Sequence, residues 1–273
     1  MKIFACIALA GVARAGLLAC ETDKENELAE SAVAFATVTT AETIKIKLID
    51  YGGVVTQTRE TKLKTIVQNT FAAVAPPGSS TDVKWVDGGT FEPAPTTCAA
   101  SELYPPLDSD NYRSMAIHAA DYNSGCNYKF AGVANLEGNQ GATIEDPANG
   151  KFQHLLIHEI VHMLGANHAS LHGEEYGDPT DALGNRRMLR SGASISTLAA
   201  GSLAVLEWLT LLDPKNTDKV PELGTTNKAV RLAPGLILSY RGTKGHDAAL
   251  ESKYQRKCYL HTIATDTPQP ESN

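Results

Sequence analysis

Three features of the 273-residue chain predict an α+β fold. A strand, a helix and further strands come first. A long helix then runs from about Lys151 to Leu164 and ends at a glycine, and two strand-like runs close the chain. The composition, 42% hydrophobic and 20% charged, suits one large domain with a real core and excludes a disordered or collagen-like chain. A formal charge of -7 argues against nucleic acid or an anionic membrane as the main partner, because both attract basic surfaces.

Taken in order, residues 1–15 combine Lys2, an apolar run from Ile3 to Ala13 and Ala13-Arg14-Ala15. A charged start, a short apolar stretch and an A-x-A site predict a signal peptide and hence a secreted, extracellular or cell-wall-associated protein. The run is too short to span a bilayer. Leu17-Leu18-Ala19-Cys20 offers a second reading, a lipid anchor at Cys20, with Leu18 a poor residue for such a box. Residues 16–40 read as a linker or short pro-segment. Cys20, Cys98, Cys126 and Cys258 remain after export, enough for two disulfides whose pairing the sequence leaves open.

Residues 41–264 form the expected globular domain. Thr43 to Ile49 alternates polar and apolar and predicts a half-buried strand. From Lys62 to Ala75 the apolar residues Leu63, Ile66, Val67, Phe71 and Val74 make a helical stripe, stopped by Pro76-Pro77-Gly78. Val83–Val86, Ser114–Ala119 and Tyr128–Ala134 are strand candidates, and Gly88 to Asp110 reads as a loop tied down by Cys98. Ile195 to Leu212, apolar on most sides, reads as a second core helix. Leu236–Tyr240 and Lys257–Ile263 read as closing strands, and residues 265–273 as a mobile tail.

The chemistry is concentrated in His158-Glu-Ile-Val-His-Met-Leu-Gly-Ala-Asn-His168. Helical residues four apart share a face, so His158 and His162 can serve one ion. Gly165 can adopt a left-handed conformation, end the helix and bring His168 back as a third ligand. Three neutral nitrogens leave a fourth tetrahedral position open to water, the pattern of a catalytic Zn2+ site, and zinc lowers the pKa of such water to about 7. Glu159 is then the general base that activates the water for attack on a peptide carbonyl. A linear His154-His158-His162 set is excluded, since its outer members lie about 12 Å apart along the helix.

H-E-x-x-H-x-x-G-x-x-H is the signature of the metzincin metalloproteases, and the chain most resembles the gametolysin (autolysin) peptidases. The further likeness lies in His168-Ala169, Glu175–Gly184, Leu206–Leu209 and Ser239–Leu250. The resemblance implies a twisted, mostly parallel sheet with helices above the cleft, zinc on its floor, and a smaller C-terminal subdomain below, beginning at residue 165. It also implies a secreted zinc endopeptidase acting on extracellular or cell-wall protein or glycoprotein, expected to be a monomer. In the gametolysin pattern the turn beneath the zinc ends Met-Gly; here it ends Leu183-Gly184, with Met188 five residues on. Either Leu183 or a register shift to Met188 fills that place. The missing methionine also motivates an alternative, a catalytically silent metzincin-like binding or adhesion protein.

Overall fold

A computed structural model describes residues 19–20, 41–51, 57–89, 100–107, 110–119, 131–144, 152–170, 175–184 and 196–263. The expectations for the signal peptide, Cys98, Cys126, Met188 and the tail lie outside the described residues. A two-residue strand β1 (Ala19–Cys20), inside the stretch read as a linker, pairs in parallel with Lys219–Val220.

Strand β2 (Thr43–Asp50) turns Ile44, Ile46 and Leu48 to one side, where all three are buried. Against them lies α1 (Gln57–Val74), whose buried residues include the stripe Leu63, Ile66, Val67, Phe71 and Val74. The helix begins five residues before Lys62, in a polar turn that periodicity does not register. β3 (Ser80–Asp87) returns parallel to β2 in unbroken register, from Thr43 opposite Ser80 to Asp50 opposite Asp87. β4 (Arg113–His118) pairs with the other edge of β2, and β6 (Gln140–Ile144) lies parallel beyond it. β5 (Gly132–Ala134) runs antiparallel on β6 and ends the five-stranded order β3-β2-β4-β6-β5. The sheet is therefore mostly parallel with one antiparallel edge.

Helix α2 (Phe152–Met163) is buried from His154 onward and packs Leu156, Ile157, Ile160, Val161 and Met163 into the same core. Beyond it the single helix expected over Ile195–Leu212 is not formed. Instead α3 (Ala200–Val205) ends after six residues, Glu207 takes a left-handed φ of 59°, and Thr210–Leu212 becomes strand β7. A short apolar run reads alike for a buried helix and a buried strand, and only packing decides. Here Trp208 sets its ring edge-on to Phe71 and donates to Glu42 at 2.8 Å, fixing the break against α1.

The C-terminal sheet holds β7, β9 (Lys228–Ala233), β10 (Leu236–Arg241) and β11 (Lys257–Thr262), in the order β11-β10-β9-β7. The reading of the sequence missed β6 and β9. Lys219–Val220 is β8, and Leu223–Thr226 is the short helix α4. Leu203, Trp208, Leu223, Ala229 and Ile237 join the core of the first sheet, so the C-terminal part shares one interior with it. No described helix is long and apolar enough to cross a membrane.

Candidate metal centre

The local fold around the eleven-residue motif follows from its glycine. Gly165 has φ +114°, a conformation that side chains disfavour. Its N–H bonds the carbonyl of His162 at 2.9 Å, and the N–H of Ala166 bonds that of Val161 at 3.3 Å. These are the two bonds of a Schellman turn, which satisfies the last carbonyls of α2 and reverses the chain. The reversal brings His168 back beside His162, with ring centroids 4.7 Å apart.

All three histidines are anchored through the same nitrogen. His158 Nδ1 lies 2.8 Å from the Ala182 carbonyl, His162 Nδ1 2.7 Å from the Ala166 carbonyl, and His168 Nδ1 2.6 Å from Glu175 Oε1. Nδ1–H donation to these oxygens fixes the tautomer and leaves each Nε2 lone pair free for another partner. The Nε2 atoms of His158 and His162 lie 3.1 Å apart, and the three residues place ligand atoms within 4.8 Å of one another. Two nitrogens on one tetrahedral zinc, each at 2.0–2.1 Å, are separated by about 3.3 Å. The donor set therefore fits a zinc ion.

Electrostatics point the same way. Burial, then the neighbouring His162, lowers the pKa of His158 to about 2; burial lowers that of His162 to about 4. Both imidazoles are thus neutral at physiological pH, as metal ligation requires.

Glu159, one residue after the first ligand, is 3% exposed, with its carboxylate against Gly132 on β5. A Cβ on Gly132 would fall 2.5 Å from Oε1, so only glycine leaves the carboxylate its place. The phenol of Tyr104 is pushed above its usual range, first by burial and then by the charge of Glu159.

The turn facing His158 is pinned from several directions. Asp178 Oδ1 accepts from the N–H and hydroxyl of Thr180, while Asp181 accepts from Leu183 N at 2.8 Å and Ala199 N at 2.6 Å. Burial, then the charge of Asp178, raises the pKa of Asp181 to about 6. Leu183 is fully buried in this turn, and its carbonyl accepts from Ala169, next to His168. From the C-terminal sheet, Arg241 donates to the carbonyl of Thr180 and, at 2.7 Å, to Asp247 Oδ1. Arg241, paired with Asp247, thereby fastens β10 to the turn that carries the partner of His158 through the Thr180 carbonyl.

The other described histidines stand apart from the triad. His154 is buried, its ring centroid 6.4 Å from that of His158, and lies outside the three-residue group. His118 bonds the Leu103 carbonyl, and His261 bonds Ser239 Oγ and faces Asp178 Oδ2 at 3.8 Å. Glu175, Gly132, Asp181 and Arg241 had no role assigned from sequence. Glu175 carried a signal, being acidic a few residues beyond the third histidine; Gly132 and Arg241 carried none, because tertiary packing alone brings them to the site.

No protein-family model matches the chain, and no curated protein matches it in sequence. Among solved structures, the chain is similar to the crystal structure of archaemetzincin from Methanopyrus kandleri. The identity is 14% and the TM-score 0.37, over 55% of this chain and 84% of that one. At that distance the functional reading rests on the site's own geometry.

Proposed function

We propose that the protein is a zinc-dependent endopeptidase of the metzincin type, most like the gametolysin peptidases. The observation that carries this reading is the convergence of three Nδ1-anchored imidazoles, with the carboxylate of Glu159 adjoining in sequence and buried. His158, His162 and His168 would hold the ion. When bound, zinc acts as a Lewis acid toward water and the scissile carbonyl. Glu159 accepts the proton of the attacking water and passes it to the leaving amine. β5 is the terminal strand of its sheet among the described residues, and Gly132 sets it against Glu159. An extended peptide adding to that edge through main-chain hydrogen bonds would carry its carbonyl toward the carboxylate.

Export through a signal peptide over residues 1–15, a linker or pro-segment to residue 40, two disulfides among Cys20, Cys98, Cys126 and Cys258, a monomeric state and extracellular or cell-wall protein substrates belong to the same proposal. The test is casein or gelatin hydrolysis by the purified protein, with and without a chelator, beside Glu159→Ala. The expected result is chelator-sensitive hydrolysis abolished by the substitution. Activity unchanged by Glu159→Ala would end the mechanism. One equivalent of bound zinc with no hydrolysis of any protein would favour the silent binding protein instead.

A further inference from the structure

His168 differs from its two partners in how it is held. His158 and His162 sit on a buried helix and donate to backbone carbonyls, whereas His168 lies past the Schellman turn with 28% of its side chain exposed. Its hydrogen-bond partner, Glu175, is 66% exposed. Water competes for such a contact, which alone holds a ring loosely. The next residue supplies a second contact. The ring of Tyr176 lies 3.9 Å, centroid to centroid, from that of His168, tilted by 40°. It also runs nearly parallel to the ring of His158, 18° off at 5.9 Å, and so lies beside both ligands.

The backbone is bent to achieve this. Tyr176 has φ +61°, a left-handed conformation uncommon for a bulky non-glycine residue and retained where the surroundings enforce it. With that bend two consecutive side chains meet one imidazole, Glu175 at its Nδ1 and Tyr176 against its ring.

We infer that Tyr176 is a positioning residue of the metal centre, its ring bracing the third imidazole in the orientation that a shared ion requires. The inference rests on the zinc-site reading above and adds a residue to it. The aromatic ring does the bracing, so phenylalanine can replace tyrosine. Glycine, which accepts the left-handed backbone without strain, removes the ring while leaving the chain path intact.

The test is zinc affinity of the full chain by competition with a chromophoric chelator, for the unaltered protein, Tyr176→Phe and Tyr176→Gly, together with the melting midpoint of each without metal. Partners that orient a ligand are worth about 10- to 100-fold in metal affinity. The expected result is a dissociation constant raised about tenfold or more in Tyr176→Gly, restored in Tyr176→Phe, with the metal-free melting midpoint not lowered. The intensity of the visible absorption of the cobalt(II)-loaded protein should fall in the glycine variant alone. Zinc affinity in Tyr176→Gly equal to that of the unaltered protein overturns the inference and leaves the zinc site standing, as does a Phe variant as weak as the Gly variant. Failure of the unaltered protein to bind zinc removes the site itself, and the inference with it.

Discussion

Replacing Gly132 with alanine tests whether the position of Glu159 matters as the proposed chemistry demands. The added methyl carbon would lie 2.5 Å from Oε1 and 2.8 Å from both Cδ and Cγ of Glu159. Carbon and oxygen do not approach so closely, and a carboxylate that is 3% exposed has little room to retreat. A displacement of about 0.5–1 Å follows, and a misplacement of about 1 Å costs up to about a hundredfold in rate. The expected fall in kcat is therefore about 10- to 100-fold, or roughly 1.4–2.7 kcal/mol of activation free energy. Zinc affinity should be unchanged, because the anchors of the three histidines, at Ala182, Ala166 and Glu175, do not touch Gly132. The assay is steady-state peptide hydrolysis with zinc content measured on the same samples. A double-mutant cycle with Glu159→Ala isolates the pair, since the methyl group should cost much less stability once the carboxylate is gone. A kcat for Gly132→Ala within twofold of the unaltered protein would refute the reasoning.

Gly165→Ala forces a side chain to φ +114° and places its Cβ 3.0 Å from Glu137 Cγ; it should cost at least about 1–2 kcal/mol in urea unfolding and weaken zinc binding by disturbing the carbonyl that anchors His162. Arg241→Met leaves Asp247 buried and unpaired and should cost about 3–5 kcal/mol in the same assay. Metal-free protein should lose stability on acidification. His162 and His158 are depressed to about 4 and about 2, and His261 and His246 to about 4 and about 3. The unfolded chain thus takes up protons first. Their contribution is complete above about pH 6.5 and is lost as pH falls toward 4, His162 alone accounting for about 3 kcal/mol. Asp181, raised to about 6, has the opposite sign: it favours the fold at low pH and gives up that stability as pH rises through 6. Four histidines outweigh it, so the urea midpoint should be lower at pH 4.5 than at pH 6.5.

The sequence made the centre of the site legible because its constraints are local. A four-residue helical repeat and one glycine decide where His158, His162 and His168 meet, and those are properties of neighbours along the chain. The stripe from Leu63 to Val74 and the alternation from Thr43 to Ile49 were readable for the same reason. What escaped depends on packing between distant segments. Gly132 is 27 residues from Glu159 and matters only because β5 lies against α2. Arg241 reaches Thr180 across 61 residues. The apolar run after Ile195 carried no period that separates helix from strand, so its division at Trp208 followed from contact with Phe71 and Glu42. Leu183 is fully buried in the turn whose preceding carbonyl anchors His158.

The central claim is a three-imidazole zinc centre, and X-ray absorption at the zinc edge addresses it most directly. Protein loaded with one equivalent should give three nitrogen scatterers with imidazole multiple scattering at 2.0–2.1 Å and one further light atom, and His168→Ala should remove one imidazole. Two imidazoles in the unaltered protein, or a spectrum indifferent to loss of His168, would contradict it.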